Sequence, residues 1–163
     1  MKKVYLAGPD VFRVNAIEHG NYLKELLLAN GFIGLYPMDN EVDFNNDQSP
    51  HNTIFTGNIN MIYECDYVLA NIDPFRGPSV DPGTAFEIGF ASALSKEIVL
   101  YYGSHIPELD YETRSLNCVN NMSLYPNIER FGLQDNLMIM CASSSCKNLF
   151  EAIEALKELE YFK

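Results

Sequence analysis

Short apolar runs alternate with longer helical patterns along this 163-residue chain, and this alternation restricts the fold more than any other feature of the sequence. Strands that alternate with helices pair in parallel through right-handed crossovers. The sequence therefore predicts an α/β fold, a three-layer α/β/α sandwich around a five-stranded, mostly parallel sheet with flavodoxin-like order. The predicted strands are Val4–Pro9, Phe32–Pro37, Tyr67–Ile72, Glu97–Tyr102 and Asn136–Ala142, and the predicted helices are Asn15–Gly31, Thr53–Asp66, Pro82–Leu94 and Cys146–Phe162. The segment Gly103–Gln134 is predicted to be irregular and receives no role.

Length and charge narrow the class of protein. A chain of 163 residues fits one domain, residues 1–163, that can bury a core without disulfide bonds or structural metals. The net charge of −11 repels nucleic-acid phosphates, so we expect no nucleic-acid partner. Neither a membrane-spanning run nor a signal-peptide core is predicted, so no membrane partner is expected either. The cysteines show no metal-ligand spacing and indicate free thiols in the cytoplasm: Cys65, Cys118, Cys141 and Cys146.

The loops after the first and third strands are the candidates for a binding site. In open parallel sheets, ligands bind outside the carboxyl ends of the strands at the point where strand order reverses. The segments Ala7–Phe12 and Asp73–Gly83 both leave central strands at that edge. Neither G-x-G-x-x-G nor G-x-x-x-x-G-K-[ST] occurs, which argues against dinucleotide and phosphate-loop chemistry.

A glutamate interrupts the apolar helix "DPGTAFEIGFASAL", which begins at Asp81. Asp81 suits an N-cap, and Glu87 then lies past the first turn, too deep for a capping box. Glu87 either points to solvent from a polar helix edge or faces the mouth at the strand ends, where burial and partners tune it. Gly83 and Gly89 favour the second interpretation, because glycine in a helix often marks close approach of a ligand or backbone. Tyr5 alone indicates only a strand aromatic, but the fold directs it to the same crevice.

Four stretches of the chain resemble the nucleoside 2-deoxyribosyltransferase family: "VYLAGPDVF", "YPMDNE", "ANIDPFRGPSVDPGTAFEIGFA" and "FGLQDNLM". The resemblance runs from Val4 to Met138 in the expected order. It implies an enzyme that cleaves the N-glycosidic bond of a 2'-deoxynucleoside and passes the sugar to another purine or pyrimidine base. Its partners would be a deoxynucleoside and a free nucleobase, and no metal or organic cofactor would be needed.

The resemblance also implies roles for individual residues. Glu87 falls on the family nucleophile, Asp81 on the aspartate that holds the sugar 5'-hydroxyl, and Tyr5 on the tyrosine that orients the nucleophile. Asn136 and Met138 match an Asn-x-Met pair that a neighbouring subunit donates, which implies a homo-oligomer, either a dimer or a hexamer. Asn120 and Met122 share that spacing but match less closely. The remaining predicted substrate-binding residues are Asp39 and Glu41 beside the base, together with Gly8, Phe12, Arg76 and Gly83.

One position departs from the family pattern. Some members carry an aspartate, proposed to handle a proton on the base, where this chain has Asn58, and an amide cannot act as an acid. Asn58 would then bind a hydroxyl or the base, while Asp81 or water supplies the proton. Glu41 likewise replaces an amide found in some relatives.

Two other functions stay open at the level of sequence. A 2'-deoxynucleoside 5'-monophosphate hydrolase would use the same nucleophile, but Asp81 at the 5' position would repel a phosphate. A non-catalytic nucleotide sensor could also share the fold. The joint presence of Tyr5, Asp81, Glu87 and Asn136 favours the transferase.

Overall fold

A parallel five-stranded sheet forms the centre of the molecule. The computed structural model describes residues 1–45, 48–104, 106–118 and 127–161. The sheet order is β2-β1-β3-β4-β5, and each neighbouring pair is parallel, so the predicted α/β fold and flavodoxin-like order are confirmed. In the central pair, Val4 lies opposite Tyr67 and Ala7 opposite Ala70. The strands are β1 (Lys2–Ala7), β2 (Phe32–Leu35), β3 (Tyr67–Asn71), β4 (Glu97–Tyr101) and β5 (Ser144–Ser145).

Helices cover both faces of this sheet. Because successive strand residues point to opposite faces, Val4 and Leu6 pack on one side and Tyr5 and Ala7 on the other. The first side is covered by helices α1 and α6, and the second by α2, α3 and α5. The helices are α1 (Ala16–Ala29), α2 (Pro50–Glu64), α3 (Pro82–Ala93), α4 (Tyr111–Cys118), α5 (Leu137–Met140) and α6 (Leu149–Tyr161), with short 3₁₀ turns at Pro9–Phe12 and Pro37–Asp39.

The predicted fifth strand, Asn136–Ala142, is wrong. This segment contains helix α5, in which the Asn136 side chain accepts a hydrogen bond from the Met138 amide at 3.0 Å and Ile139 is buried. A short apolar run has no periodicity that separates a strand from one buried helical turn. The actual edge strand is Ser144–Ser145, which pairs with Val99 and Leu100 of β4.

The segment predicted to be irregular also holds a helix, α4 at Tyr111–Cys118. Asp110 precedes it and accepts a hydrogen bond from the Thr113 amide at 2.7 Å, the contact that an N-cap makes. Asn120 and Met122, the alternative Asn-x-Met pair, lie outside the described residues.

Two findings bear on the predictions made from composition. Within the described ranges, no helix combines the length and apolar character needed to cross a membrane. All four cysteines are free, and burial raises the pKa of the Cys65 thiol to about 11, so this side chain behaves as a small apolar group of the core.

Candidate active site

A cavity of about 500 Å³ opens at the carboxyl ends of β1 and β3. This volume lies within the usual range for a small-molecule site, roughly 300–1,000 Å³. Its polar lining consists of Asn40, Asn58, Asp81, Thr84 and Glu87. Gly8, Gly83 and apolar side chains complete the wall, among them Val11, Phe12, Met38, Val42, Phe44 and Ile54. A few polar groups in a mostly apolar wall are typical of a site that orients one compact ligand.

Glu87 projects into this cavity from helix α3 and is held from the sheet. The Tyr5 hydroxyl donates a hydrogen bond of 2.6 Å to Glu87 Oε1, across 82 positions of sequence. Asn58 Nδ2 makes a longer contact of 3.5 Å to the same oxygen. Within the described part of the chain, both contacts fall on Oε1, so Oε2 is available to a ligand. Of the two interpretations left open by the sequence, the structure supports the one in which Glu87 faces the mouth.

Burial sets the protonation of this pair. It raises the pKa of Glu87 to about 7, and the Asp81 carboxylate adds to the rise, while the hydrogen bonds from Tyr5 and Asn58 oppose it. Burial together with the Glu87 charge raises the pKa of Tyr5 well above its ordinary value. Tyr5 is therefore a neutral donor at physiological pH, and Glu87 changes charge close to neutrality.

Asn40, which the sequence did not single out, fixes the amide of Asn58. Asn40 Nδ2 donates to Asn58 Oδ1 at 2.8 Å and to the Pro37 carbonyl at 2.9 Å. The Asn58 oxygen thus faces Asn40 and its NH₂ group faces Glu87. Gly57 makes room for this contact, since a Cβ there would lie 2.0 Å from Asn40 Oδ1. Gly57, which lies in the interior of α2, therefore has a packing reason.

Asp81 combines a structural contact with a position in the cavity wall. Its Oδ2 accepts from the Thr84 amide at 3.1 Å, so Asp81 is the N-cap of α3, as predicted. The described residues place no hydrogen bond on its Oδ1. A Cβ at Gly83 would lie 2.9 Å from Asp81 Oδ2, so a larger residue there would crowd the carboxylate.

Asn71 ties together the loops around the cavity. Its Nδ2 donates to Asp10 Oδ2 at 2.9 Å, and its Oδ1 accepts from the amides of Asp73 and Gly103 at 3.0 and 3.1 Å. Gly8 passes next to it with φ +148°, and a Cβ at Gly8 would lie 2.8 Å from Asn71 Cβ. This backbone region is essentially restricted to glycine, which explains Gly8 at this loop.

Phe12 and Arg76 belong to one cluster of aromatic rings and a guanidinium. The rings of Phe12 and Phe75 stack with centroids 5.0 Å apart, and the Arg76 guanidinium lies 4.5 Å from the Phe75 centroid and 5.3 Å from that of Phe12. Phe12 lines the cavity, whereas Arg76 is exposed and outside the lining set. The roles predicted for both in substrate binding stay predictions.

Asp39 and Glu41 do not line the cavity. Asp39 accepts from Lys24 Nζ at 2.5 Å and from the Tyr36 amide at 3.0 Å, so its carboxylate closes its own turn. From the same segment, Met38, Asn40 and Val42 reach the wall instead. The cavity-lining amide of the "YPMDNE" stretch is thus Asn40, which lies between the two acidic residues predicted to contact the base.

Asn136 and Met138 lie on a second groove, on the side of α3 that faces α5. Asn136 Nδ2 donates to Glu129 Oε1 at 2.7 Å, and Met138 is 73% exposed. Gly89 also lines this groove, and a Cβ there would meet no described atom within 4 Å. Close approach of neighbouring backbone is thus not seen at Gly89 within the described chain, and the alternative, approach of a ligand, stays a prediction; Gly83 lies in the main cavity.

The fold and site together define a class: a parallel α/β protein whose partly buried glutamate, held by a tyrosine, faces a small-molecule cavity at the carboxyl ends of the strands. Residues 4–138 match the family model described as nucleoside 2-deoxyribosyltransferase. The chain belongs to that family, and the resemblance seen in its motifs is confirmed.

Known structures share this architecture over nearly the whole chain. A 2-desoxiribosyltransferase from Leishmania mexicana superposes with a TM-score of 0.75 at 29% identity, covering 97% of this chain and 98% of that one. A conserved protein from Enterococcus faecalis V583 gives a TM-score of 0.67 at 22% identity, covering 97% and 98%, which shows the fold alone.

A sequence relative in Schizosaccharomyces pombe matches over a shorter stretch. This uncharacterized protein is 37% identical over 99 residues, which cover 58% of this chain and 47% of the relative. The chain thus spans about half the length of the curated relative that it matches.

Proposed function

We propose that this protein transfers the 2-deoxyribosyl group between purine or pyrimidine bases through a covalent intermediate on Glu87. The observation that carries the proposal is the arrangement of the Glu87 carboxylate. Tyr5 holds Oε1 at 2.6 Å, and the other oxygen is left for the cavity. A carboxylate fixed in this way has a defined lone pair to aim at a sugar carbon.

The reaction then proceeds in two displacements. Glu87 Oε2 attacks C1' as the bond from C1' to the base nitrogen breaks, and the departing base takes up a proton. A nitrogen of the second base next attacks C1', breaks the ester bond to Glu87 and loses its proton. Two inversions give net retention, as in retaining glycoside hydrolysis. A 2'-deoxy sugar suits this route, because no 2'-hydroxyl withdraws electrons from the positively charged transition state.

The other polar residues of the wall receive roles from their positions. Asp81 would bind the sugar 5'-hydroxyl through its Oδ1, since its Oδ2 caps the helix. Asn58, with its NH₂ group turned towards Glu87 by Asn40, would donate a hydrogen bond to the sugar or base. Because an amide cannot supply a proton, the proton for the leaving base would come from Asp81 or from water.

The charge of the wall favours a free nucleoside over a 5'-monophosphate. Among the described residues that line the cavity, two are carboxylates and none is a lysine or arginine. A phosphate next to Asp81 would meet a like charge with no cation to offset it. This supports the transferase over the nucleotide hydrolase.

A neighbouring copy of the chain would complete the site. Asn136 and Met138 are placed outside the cavity of their own chain, on the groove beside α3. Met138 exposes most of its apolar side chain there. We propose that they contact the substrate of a second subunit in a homo-oligomer, a dimer or a hexamer.

The assay is incubation with deoxyinosine and adenine, followed by separation of nucleosides and bases. Deoxyadenosine with free hypoxanthine is expected. Hypoxanthine without deoxyadenosine would identify a hydrolase instead, and binding without turnover would identify a sensor.

Glu87→Ala tests the nucleophile. It should abolish transfer, whereas the control Glu64→Ala removes an exposed glutamate that pairs with Lys3 at the other end of the sheet and should leave transfer unchanged. Digestion after trapping with a slow substrate should place the sugar on the peptide that contains Glu87. Attachment to another peptide would contradict the mechanism.

A further inference from the structure

The loop that leads into the active-site helix is held from outside the cavity by Asp135. This carboxylate is only 1% exposed. Its Oδ1 accepts a short hydrogen bond from the Ser79 hydroxyl and a second from the Asn136 amide at 2.7 Å, and its Oδ2 accepts from the Val80 amide at 3.0 Å. A buried charge is costly unless donors surround it, and here the loop before Asp81 provides two of the donors.

Arg114 of helix α4 fastens the same loop. Its Nε donates to the Pro78 carbonyl at 2.8 Å, its Nη1 to the Leu109 carbonyl at 2.6 Å and its Nη2 to the Gln134 carbonyl at 2.6 Å. One guanidinium thus joins the loop before α3 to both ends of the segment that carries α4. Arginine suits this task because its donors form a rigid planar fork.

We propose that Asp135 and Arg114 are positioning residues that set the direction of the Asp81 carboxylate. The assignment rests on the proposed function, in which Asp81 binds the 5'-hydroxyl. The argument is one of connectivity: Asp135 holds Ser79 and Val80, and the next residue is Asp81 itself. Neither Asp135 nor Arg114 lines the cavity, so both would act through the loop.

Among the described residues, packing also holds this loop: Phe75 stacks on Phe12, and Val80 is buried in the core. The loop sequence, "GPSVDPG", is rich in glycine and proline, and an internal hydrogen bond from the Phe75 amide to the Ser79 carbonyl spans 3.0 Å. The N-cap contact ties Asp81 Oδ2 to α3, whereas Asp135 holds the backbone of the preceding residue, Val80. Leu109, Arg114 and Gln134 belong to the segment that the sequence left without a role, and they would then help to support the site.

The substitution Asp135→Asn tests the assignment with little change in size. One carboxylate oxygen becomes an NH₂ group, which must then face a backbone amide or the Ser79 hydroxyl, so a hydrogen bond is lost and two donors can oppose each other. Transfer to adenine is measured from deoxyinosine and from 2',5'-dideoxyinosine, which lacks the 5'-hydroxyl. If Asp81 is turned away from the 5'-hydroxyl, a hydrogen bond between substrate and a carboxylate is lost. We therefore expect kcat/KM for deoxyinosine to fall by about tenfold or more.

The sugar donor that lacks a 5'-hydroxyl, 2',5'-dideoxyinosine, distinguishes an effect on the direction of Asp81 from a general loss of protein stability. For this donor Asp135→Asn should change kcat/KM by less than about twofold, because the contact served by Asp81 is already missing. The double variant Asp81→Ala with Asp135→Asn should be no worse than Asp81→Ala alone. Equal losses with both donors, or no loss with either, would overturn the assignment.

Two further variants keep the test informative. Ser79→Ala removes only one hydroxyl and should show the same selectivity with a smaller loss, even if Asp135→Asn folds poorly. Asp66→Asn is the matched control: this carboxylate also holds backbone, through the Lys3 amide at 2.8 Å, but at the amino end of β3, and should affect neither donor. A wild-type protein that transfers from neither donor would overturn the proposed function itself, and this assignment with it.

Discussion

Glu87 illustrates at the scale of one residue how burial changes the ionisation of a carboxylate. As the proposed nucleophile, Glu87 must be ionised, yet burial and Asp81 raise its pKa to about 7. We therefore expect kcat/KM to fall as the pH is lowered through 7 and to level off above about 8. The pH profile of the free enzyme measures this limb. An acid limb near pH 4.5, the ordinary glutamate value, would show that the proposed nucleophile does not titrate as described.

The same shift makes a prediction about stability. Glu87 ionises near pH 4.5 in the unfolded chain but only near pH 7 in the folded chain. Above about pH 7 the ionised side chain therefore lowers the free energy of unfolding. Glu87→Gln should therefore raise the free energy of unfolding at pH 8 by roughly 1–3 kcal/mol and leave it almost unchanged at pH 4. Denaturant titrations at both pH values measure the difference.

Glu64 is the control for that measurement. Lys3 lies 2.8 Å away and lowers the pKa of Glu64, the opposite direction from Glu87. Glu64→Gln should bring no gain in stability at pH 8. A gain of equal size in both variants would mean that the surface charge of the whole molecule, rather than burial at Glu87, is responsible.

At the scale of the element, helix α3 begins at its N-cap Asp81 and carries the proposed nucleophile, Glu87. Asp81 caps its first turn, and the Asp81 charge contributes to the raised pKa of Glu87. Asp81→Asn keeps a capping oxygen, so we expect stability close to that of the wild type, whereas Asp81→Ala should cost about 1 kcal/mol. Both variants should move the acid limb of kcat/KM to lower pH, because a neighbouring negative charge has gone. Thermal melts and pH profiles check the two effects separately, and an unmoved limb would exclude the charge coupling.

The elements also show what sequence patterns can predict. The first four strands and their helices were predicted because an apolar run next to an amphipathic helix has a distinct period. Strand β5, Ser144–Ser145, was not predicted. Two serines have no strand pattern of their own, and they belong to the sheet only because they pair with β4. In the same way, the predicted fold directed Tyr5 and Glu87 to one crevice, but the contacts of Asn40 and Asp135 join distant segments and leave no local signal.

At the scale of the whole molecule, the placement of Asn136 leads to a test by mixing. If a neighbouring subunit lends Asn136 to each site, Glu87→Ala and Asn136→Ala should each be inactive alone. When the two are unfolded and refolded together, half of the dimers contain both chains, and one of the two sites in each is intact. About one quarter of wild-type activity should then return. If no activity returns from correctly assembled mixtures, each chain supplies its own site.

The contact between Tyr5 and Glu87 has a consequence for how the protein would fail on heating. Tyr5 belongs to the central strand β1 and is fully buried, and α3 packs on the same face of the sheet. The pair that we propose for the reaction therefore lies on the core of the sheet, a region that in proteins generally opens only with the whole fold. Loss of catalysis and loss of cooperative structure should occur over one temperature interval, so an enzyme stabilised anywhere in its core would remain a working catalyst to correspondingly higher temperature.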